Sequence, residues 1–593
     1  MCGYIGSVSF EANNQSKLHR FNDCIICRGP DNLTEHNSSS DVYVNLIFNR
    51  LSIVDLSHNA NQPMSSKKGS LLMFNGEIYN HRELRKNLES EGIIFSSSHS
   101  DSEVILHGLD LYGLKFIDQL RGQFAIFFMH KVDKKIYLIK DRLGQKPLFY
   151  HINNKSIYFG SNLKSIARLS NKTSIDSRSV NEYMNLGIVR SPNTIFNDVN
   201  KVSPAEIITI DYSEEKFTFT KHKYWEPEEF IQNKDFNLNE FFNIFHSSVS
   251  LRANADVEIA SFLSGGLDST SIVKSLIENN NNESNTFSVA FESKNYDESS
   301  WSRYVSKKYG TNHTELRVGK NEINSCIDSA IDSLDEPFAD PSVVPSFLLS
   351  KLISQNYKVA LSGDGGDELL GGYSRIKQSL FTKPRNRLIS NSIFNIYPGF
   401  LGTGNYFLKR DSNLGNRYRS FLEDQKLLNL LGVSSSLRNN IDFNYIKDEE
   451  YKALLITDYK FFLSEMMMYK VDRTSMANSL EIRSPFVDHK LIEYVLSHDV
   501  QYVDFDKPKS ILQDYLSNDF SKEFTNRKKQ GFVFDTKEWI YSNISNITST
   551  INDGSYTAKM NPKITKILSL NKSRVNSLRL WKIYVLEKYL TKI

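Results

Sequence analysis

The residue with the plainest chemical use is Cys2, which is followed by the small Gly3. Methionine is readily trimmed ahead of a small residue, and loss of Met1 would leave Cys2 with a thiol and a free α-amine. That amine titrates near neutrality, so it can serve as general base to its own thiol, as in amino-terminal nucleophile enzymes. By itself a cysteine at position 2 is more often an ordinary residue. A second chemistry is offered by two glycine-rich turns, Ser264-Gly-Gly-Leu-Asp-Ser269 and Ser362-Gly-Asp-Gly-Gly-Asp-Glu368. The first sits between an apolar run and a helical pattern, where backbone N–H groups and the helix dipole favour phosphate. It lacks the lysine of a Walker A loop, and no G-x-x-x-x-G-K-[ST] occurs anywhere. A generic glycine turn is the bland alternative, against which stand the embedded aspartate and the following Ser269-Thr270-Ser271. Asp268 and Asp367 are natural Mg²⁺ ligands, because hard cations take carboxylate oxygens alongside substrate phosphates.

These groups need elements to hold them. Up to about residue 210 the chain alternates short strands with turns, clearest at Tyr4–Phe10, Val42–Phe48, Ser70–Phe74, Gln123–His130 and Lys135–Lys140. Helical patterns fall at Asn80–Glu91 and Ser102–Tyr112, a mixture that suggests stacked sheets covered by helices. A looser stretch, Trp225–Asn239, marks the boundary. Beyond it the texture changes. Val257–Leu263 reads as a strand that turns into a helix ending near Asn279, Asn285–Phe291 as a second strand, and Lys358–Leu361 as a third. That is the alternation of a parallel α/β sheet, whose ligands collect at the carboxyl ends of the strands. The remainder, from about residue 373, is mostly helical, and there is no internal repeat.

Several further segments change the standing of Cys2. Arg50-Leu-Ser-Ile-Val-Asp55, Phe74-Asn-Gly-Glu-Ile-Tyr-Asn80, Ser100-Asp-Ser-Glu103, Arg121-Gly-Gln-Phe-Ala125 and Asp141-Arg-Leu-Gly-Gln-Lys-Pro-Leu-Phe-Tyr150 follow the Met-Cys-Gly start in this order. Together they resemble the class II glutamine amidotransferase domain over close to its full length. The resemblance implies an oxyanion hole at Asn75 and Gly76, and a glutamine pocket of Arg50 for the α-carboxylate, Asp101 for the α-ammonium, and Glu77. Asn75-Gly76 also suits a hairpin turn, and Arg50 a surface ion pair.

The first glycine turn resembles the pyrophosphate loop of the ATP pyrophosphatases, which cleave ATP between its α- and β-phosphates. Lys470-Val-Asp-Arg-Thr-Ser-Met-Ala-Asn-Ser-Leu-Glu-Ile-Arg-Ser-Pro-Phe-Val-Asp488 resembles the asparagine synthetase domain. Arg527-Lys-Lys-Gln-Gly-Phe532 resembles the segment whose lysine meets the pyrophosphate, by position Lys529, with Lys528 the alternative. The implied ATP contacts are Phe262, Ser264, Gly265, Gly266, Asp268, Ser269, Val289, Ser362, Gly363 and Lys529, with Asp268 and Asp367 holding Mg²⁺.

The whole chain thus resembles the glutamine-hydrolysing asparagine synthetase family. The implied fold is an α+β amino-terminal nucleophile domain (an αββα sandwich) over 2–215, followed over 236–593 by an α/β parallel-sheet ATP-pyrophosphatase domain with a largely helical C-terminal part. The implied chemistry is release of ammonia from glutamine at Cys2, activation of a carboxylate by Mg·ATP as an acyl-adenylate, and amide formation by ammonia that travels inside the protein. The implied partners are glutamine, ATP and aspartate or another carboxylate. Dimers occur in the family, although no feature of the sequence demonstrates an interface.

Two positions depart from the family pattern. Cys27-Arg-Gly-Pro-Asp31 stands where histidine usually leads, which creates Cys24-x-x-Cys27. With no second pair nearby, both cysteines read as buried small hydrophobes rather than half a zinc site. Asp364 stands where synthetases dedicated to asparagine often carry glutamate, a proposed base for the attacking ammonia. Relatives with this loop include proteins associated with surface-polysaccharide assembly, so a uronic acid is an alternative acceptor. A non-catalytic glutamine sensor is the alternative of another class.

Composition excludes other classes. A net charge of +3 on 593 residues offers no nucleic-acid footprint. No apolar run approaches the roughly 20 residues that span a bilayer, and the start lacks the pattern of a signal peptide. Four cysteines suit a reducing cytoplasm and no disulfide scaffold. Residues 377 to 419 carry eight Lys or Arg and a single acid, which reads as a solvated helical insertion or, less simply, a membrane-surface site.

Overall fold

The computed structural model describes residues 2–12, 16–280, 284–293, 296–382, 387–433, 441, 443–446, 449–499, 509–527 and 531–593. Its first half holds two six-stranded antiparallel sheets. In the first, Cys2–Ser9 lies between Tyr43–Arg50 and Ser156–Gly160. In the second, Leu71–Ile78 pairs with Gly122–His130, which pairs in turn with Lys135–Lys140.

The period-two alternation of a strand explains the layering. Tyr4, Phe48, Met73, Phe127 and Phe159 meet between the sheets, where the Phe127 and Phe159 rings stack with centroids 4.3 Å apart. Phe74, Ile78, Phe124 and Phe128, one residue out of step, face the helices His81–Ser90 and Asp101–Tyr112. Ile5 and Ile47 face the helices Leu163–Leu169 and Ser177–Leu186 on the other side. The result is a four-layer αββα sandwich. Strands such as Gly122–His130 are buried on both faces, so their sequence is a continuous apolar run. The strand Asn32–Ser39 was not legible, because it lies at a sheet edge, buries none of its residues fully and carries a single apolar side chain, the exposed Leu33.

The second half is built on a five-stranded parallel sheet in the order Asn312–Val318, Asn285–Phe291, Ile259–Phe262, Val359–Leu361, Glu481–Arg483. Both glycine turns leave the carboxyl ends of adjacent central strands, since Ile259–Phe262 pairs with Val359–Leu361. From residue 366 onward the described residues are helical apart from Glu481–Arg483 and short turns, and no described helix is long and apolar enough to cross a membrane.

The stretch around Trp225 is more ordered than its composition suggests. Pro227–Phe230 forms a 3-10 turn, and the buried Trp225 donates through Nε1 to Glu493, 3.0 Å away. The basic insertion is also less solvated than expected. Arg417 Nε donates to the Ser379 carbonyl (2.6 Å) and Arg419 Nε to the Ile441 carbonyl (2.6 Å), so both guanidinium groups tie local backbone together. Cys24 and Cys27 are half-buried rather than buried, because the short turns that carry them lie at the surface.

Candidate functional site

The Cys2 pocket is lined by Cys2, Arg50, Gly76, Glu77 and Asp101, among others. Antiparallel register sets Cys2 directly opposite Arg50. The Cys2 backbone nitrogen donates to Asn75 Oδ1 at 3.1 Å, which fixes the side-chain amide of Asn75 beside the nucleophile. The other end of that amide, Nδ2, is buried and has no hydrogen-bond partner. An unmatched buried donor is expensive unless something fills it, and an oxyanion at this position would. Asn75-Gly76 is therefore no hairpin turn; it lies inside the strand Leu71–Ile78. A Cβ at Gly76 would strike the Gln123 carbonyl of the neighbouring strand, so only glycine lets the sheet close here.

The two charged walls of the pocket differ. Arg50 is buried, and its terminal nitrogens already donate to the Ser57 carbonyl (2.8 Å), Asn61 Oδ1 (2.7 Å) and the Asp55 carbonyl. In this conformation it offers a carboxylate its charge rather than a two-pronged bond. Asp101 begins the helix Asp101–Tyr112 and accepts from the Ile78 N–H at 3.1 Å. Burial pushes its carboxyl up, opposed by His81 and by that N–H. Burial likewise raises the Cys2 thiol, opposed by the chain's amino group and Arg50, so the thiol needs a base to react near neutral pH.

Glu77 also lines this pocket, yet its Oε2 sits 3.3 Å from Arg483 Nη2 in the other half of the chain. Burial, Asp101 and Glu481 together push its carboxyl well up.

The second site gathers the two glycine turns. Ser264 Oγ accepts from the Gly266 N–H (3.2 Å) and lies 3.2 Å from Ser269 Oγ, which shapes the first turn at the start of the helix Leu267–Asn280. Gly265 has φ +73, and a Cβ there would meet the Trp301 and Ser302 backbone within 2.7 Å. Gly363 lies against Asp268 and the Ser269 backbone, so the turns touch. Ser362 donates its hydroxyl to Asp364 and accepts from the Asp364 N–H at 3.2 Å. Phe262 ends its strand half-buried, and Val289 is buried on the neighbouring strand. Lys528 and Lys529 lie outside the described residues, but Arg527 beside them donates to the Gly265 carbonyl at 2.8 Å.

Asp268 and Asp367 converge on one cation. Lys509 Nζ lies 2.5 Å from Asp268 Oδ2 and 2.6 Å from Asp367 Oδ1. Gly366 and Gly372 flank the pair, and a Cβ on either would press on a carboxylate oxygen. Two acids that already share a cation suit Mg²⁺, with the remaining coordination supplied by phosphate and water. Among the described residues no group of three or more His, Cys, Asp or Glu could hold a metal alone. The structure thus brings Cys2, Asn75, Gly76, Arg50, Glu77 and Asp101 together, and separately Asp268, Asp364, Asp367 and the glycine turns.

Residues that the motifs did not single out join the sites across the seam between the halves. Arg28 donates through Nε to the Cys2 carbonyl (3.2 Å) and through Nη1 and Nη2 to Asp472 (2.9 and 3.0 Å). Burial opposes ionisation of Asp472, but Arg28, Lys146 and Arg473 hold its carboxyl well below the usual range. Lys146 is placed by Asp141, which accepts from the Leu143, Gln145, Lys146 and Phe124 N–H groups at 3.0–3.2 Å. Glu481 receives Arg483 Nε at 2.6 Å and Gln123 Nε2 at 3.3 Å, and Arg483, working against burial, holds its carboxyl at about 2. Lys509 had no motif around it, and its φ of +70 is not written in a lysine.

Known proteins match both halves of the chain. A family described as asparagine synthase matches residues 241–579, and one described as a glutamine amidotransferase domain matches residues 1–225. The asparagine synthetase [glutamine-hydrolyzing] 1 of Bacillus subtilis is 30% identical, over 91% of this chain and 88% of that protein. The asparagine synthetase [glutamine-hydrolyzing] 3 of the same organism is 28% identical, over 90% and 87%. The amidase chyE of Penicillium rubens is 25% identical, over 89% and 87%.

Proposed function

We propose, from the premise that the chain belongs to the asparagine synthase family of glutamine-hydrolysing ligases, that its acceptor is L-aspartate and its product L-asparagine. The observation that supports aspartate is the end-to-end similarity to two enzymes named asparagine synthetase, across about nine-tenths of the chain. The division of labour is residues 2–215 for glutamine and 236–593 for ATP and acceptor.

In the first half Cys2 is the nucleophile. Its α-amine, freed by loss of Met1, takes the thiol proton as sulfur attacks the glutamine amide carbon. The oxyanion forms against the Gly76 N–H and Asn75 Nδ2, the buried and unpartnered donor of the amide that holds the Cys2 nitrogen. Collapse of the intermediate breaks the C–N bond, the amine returns the proton to the leaving nitrogen, and a glutamyl thioester remains for water to hydrolyse. Arg50 attracts the α-carboxylate of glutamine, while Asp101 and Glu77 oppose its α-ammonium.

In the second half the turns at Ser264–Ser269 and Ser362–Gly363 bind the phosphates through backbone N–H groups, with Phe262 and Val289 on the nucleoside side and Lys529 toward the pyrophosphate. Asp268 and Asp367 would hold Mg²⁺, which neutralises phosphate charge when bound. The acceptor carboxylate attacks the α-phosphorus and pyrophosphate leaves. Ammonia then attacks the acyl carbon, AMP leaves, and Asp364 takes the surplus proton.

A second acceptor class, another carboxylate such as a uronic acid, is favoured by one feature. Asp364 is a methylene shorter than glutamate and is drawn back onto Ser362. The test supplies glutamine, Mg·ATP and a panel of carboxylates and measures pyrophosphate. Release that depends on aspartate supports the proposal; release with a uronic acid but none with aspartate overturns it.

A further inference from the structure

A cavity of about 510 Å³ opens in the seam between the halves and shares no lining residue with the Cys2 pocket. One wall is the amidotransferase half, including Arg142 and Lys223; the other is the segment Asp458–Met467. That segment is a π-helix set inside a continuous helical run from Glu450 to Met476. Its wide turns cost stability and recur at functional sites, which asks what this one serves.

The polar groups on the two walls are complementary to a zwitterion. Arg142 is 8% exposed, and its terminal nitrogens donate to the Leu120 and Asp118 carbonyls at 2.7 and 2.9 Å. Its Nε is buried with no partner. Among the described residues no carboxylate pairs with it. Lys223 stands beside it, its ammonium on the Pro204 carbonyl. Glu228, which also lines the cavity, accepts from Lys460 Nζ at Oε1 (2.7 Å), while its Oε2 is buried and unpartnered. Glu465, from the π-helix, accepts from the Ser191 hydroxyl and N–H. Arg142 and Glu228, each with one buried polar atom that has no partner, thus line the same space of ligand size at a domain seam.

The geometry points to an effector site for a free α-amino acid, with its carboxylate on Arg142 and Lys223 and its ammonium on Glu228 and Glu465. The wall it would touch reaches both reaction sites. Tyr459 donates to the Leu369 carbonyl (3.4 Å) in the short helix that carries Asp367. At its other end the same helical run carries Asp472, which grips Arg28 and through it the Cys2 carbonyl. This inference does not depend on which acceptor the enzyme uses.

The test measures binding of glutamate, aspartate, asparagine and inorganic phosphate to the full chain by equilibrium dialysis, with glutaminase rates in parallel. Glu465→Gln and Lys223→Ala change opposite walls, so each checks the other if one fails to fold. We expect one amino acid to bind about tenfold more weakly to either variant, with the effector-free glutaminase kcat kept within about twofold. Bound amino acid should also change the glutaminase rate of the parent chain and not of the variants. Binding that neither variant weakens overturns the site. Binding of phosphate but of no amino acid overturns the ligand class.

Discussion

Changing Asn75 to aspartate separates the two functions of its amide. Oδ1 accepts from the Cys2 nitrogen at 3.1 Å, whereas Nδ2 is the buried donor with no partner. Aspartate keeps the acceptor and so keeps Cys2 in place, but presents lone pairs where negative charge develops. Loss of one oxyanion donor costs roughly 3–4 kcal/mol of barrier, about 100- to 1000-fold in kcat. Asn75→Asp should therefore lose at least that much glutaminase activity, with the KM for glutamine little changed. Asn75→Ala gives up the hydrogen bond to Cys2 as well, worth about 1 kcal/mol, so its KM and its Cys2 alkylation rate should both change. The assay compares glutamine-dependent with ammonia-dependent synthesis, using Cys2→Ala as the reference for complete loss of the former. Ammonia-dependent synthesis should persist in all three variants. Glutaminase within tenfold of the parent in Asn75→Asp would remove Nδ2 from the oxyanion hole. A parallel fall in ammonia-dependent synthesis would show that Asn75 acts through the seam instead.

Asp268→Asn should stop pyrophosphate release with either nitrogen source while sparing glutaminase, because Asp268 and Asp367 share one cation; pyrophosphate and glutamate assays on one preparation decide this. Asp472→Asn leaves the buried Arg28 without its bidentate partner and should cost about 3–5 kcal/mol, read as an earlier unfolding midpoint, with Arg28→Met/Asp472→Leu recovering part of it. Glu368 gives a pH signature, since burial pushes its carboxyl up to about 7. The folded state then holds a proton that the unfolded state has released, so stability falls as pH rises from about 4.5 to 7, by about 3 kcal/mol in full. Glu368→Gln should flatten the unfolding midpoint between pH 5 and 8; an unchanged slope would refute the assignment.

What could be read from the sequence followed from locality. Cys2, Asn75-Gly76 and the glycine turns are short motifs whose backbone demands are written in their own residues, such as the φ of +73 that glycine adopts without strain at 265. Buried strands announced themselves as apolar runs, and the structure shifted their bounds by a few residues at most. The seam was not legible, because its contacts join distant residues. Arg28 and Asp472 are 444 positions apart, and each sits in a motif whose nearer residues suggest other roles. Lys509 is similarly hidden, since a lysine says nothing of where its ammonium ends up until the fold places two acids beside it.

The strand Glu481–Arg483 shows why these seam contacts bear on function. Side chains two apart on a strand point to one face, and Glu481 and Arg483 both point toward the amidotransferase half, at Gln123 and Glu77. The backbone of the same three residues belongs to the ATP half: it pairs with Val359–Leu361, and the Arg483 carbonyl accepts from the Ser362 N–H at 3.0 Å. Ser362 opens the turn that carries Asp364, and Glu77 follows Gly76 in the Cys2 pocket. One residue, Arg483, therefore separates the Ser362 turn from the strand that carries Gly76 and Glu77, held on one side through a backbone hydrogen bond and on the other through a buried ion pair. If the Ser362 turn moves when a nucleotide binds, the Arg483 carbonyl would move with it, and the fully buried guanidinium has no solvent into which it can relax. The shift would then reach its partners: Glu77, Glu481, and the Arg252 and Asn254 carbonyls that Nη1 holds at 3.0 and 2.8 Å. On this geometry, an Arg483→Lys variant, with a single point charge in place of the fork, should loosen the dependence of glutaminase on bound ATP more than it lowers either reaction alone. Glutaminase rates with and without Mg·ATP measure this, and an unchanged ratio would assign the coupling to Arg28 and Asp472 instead.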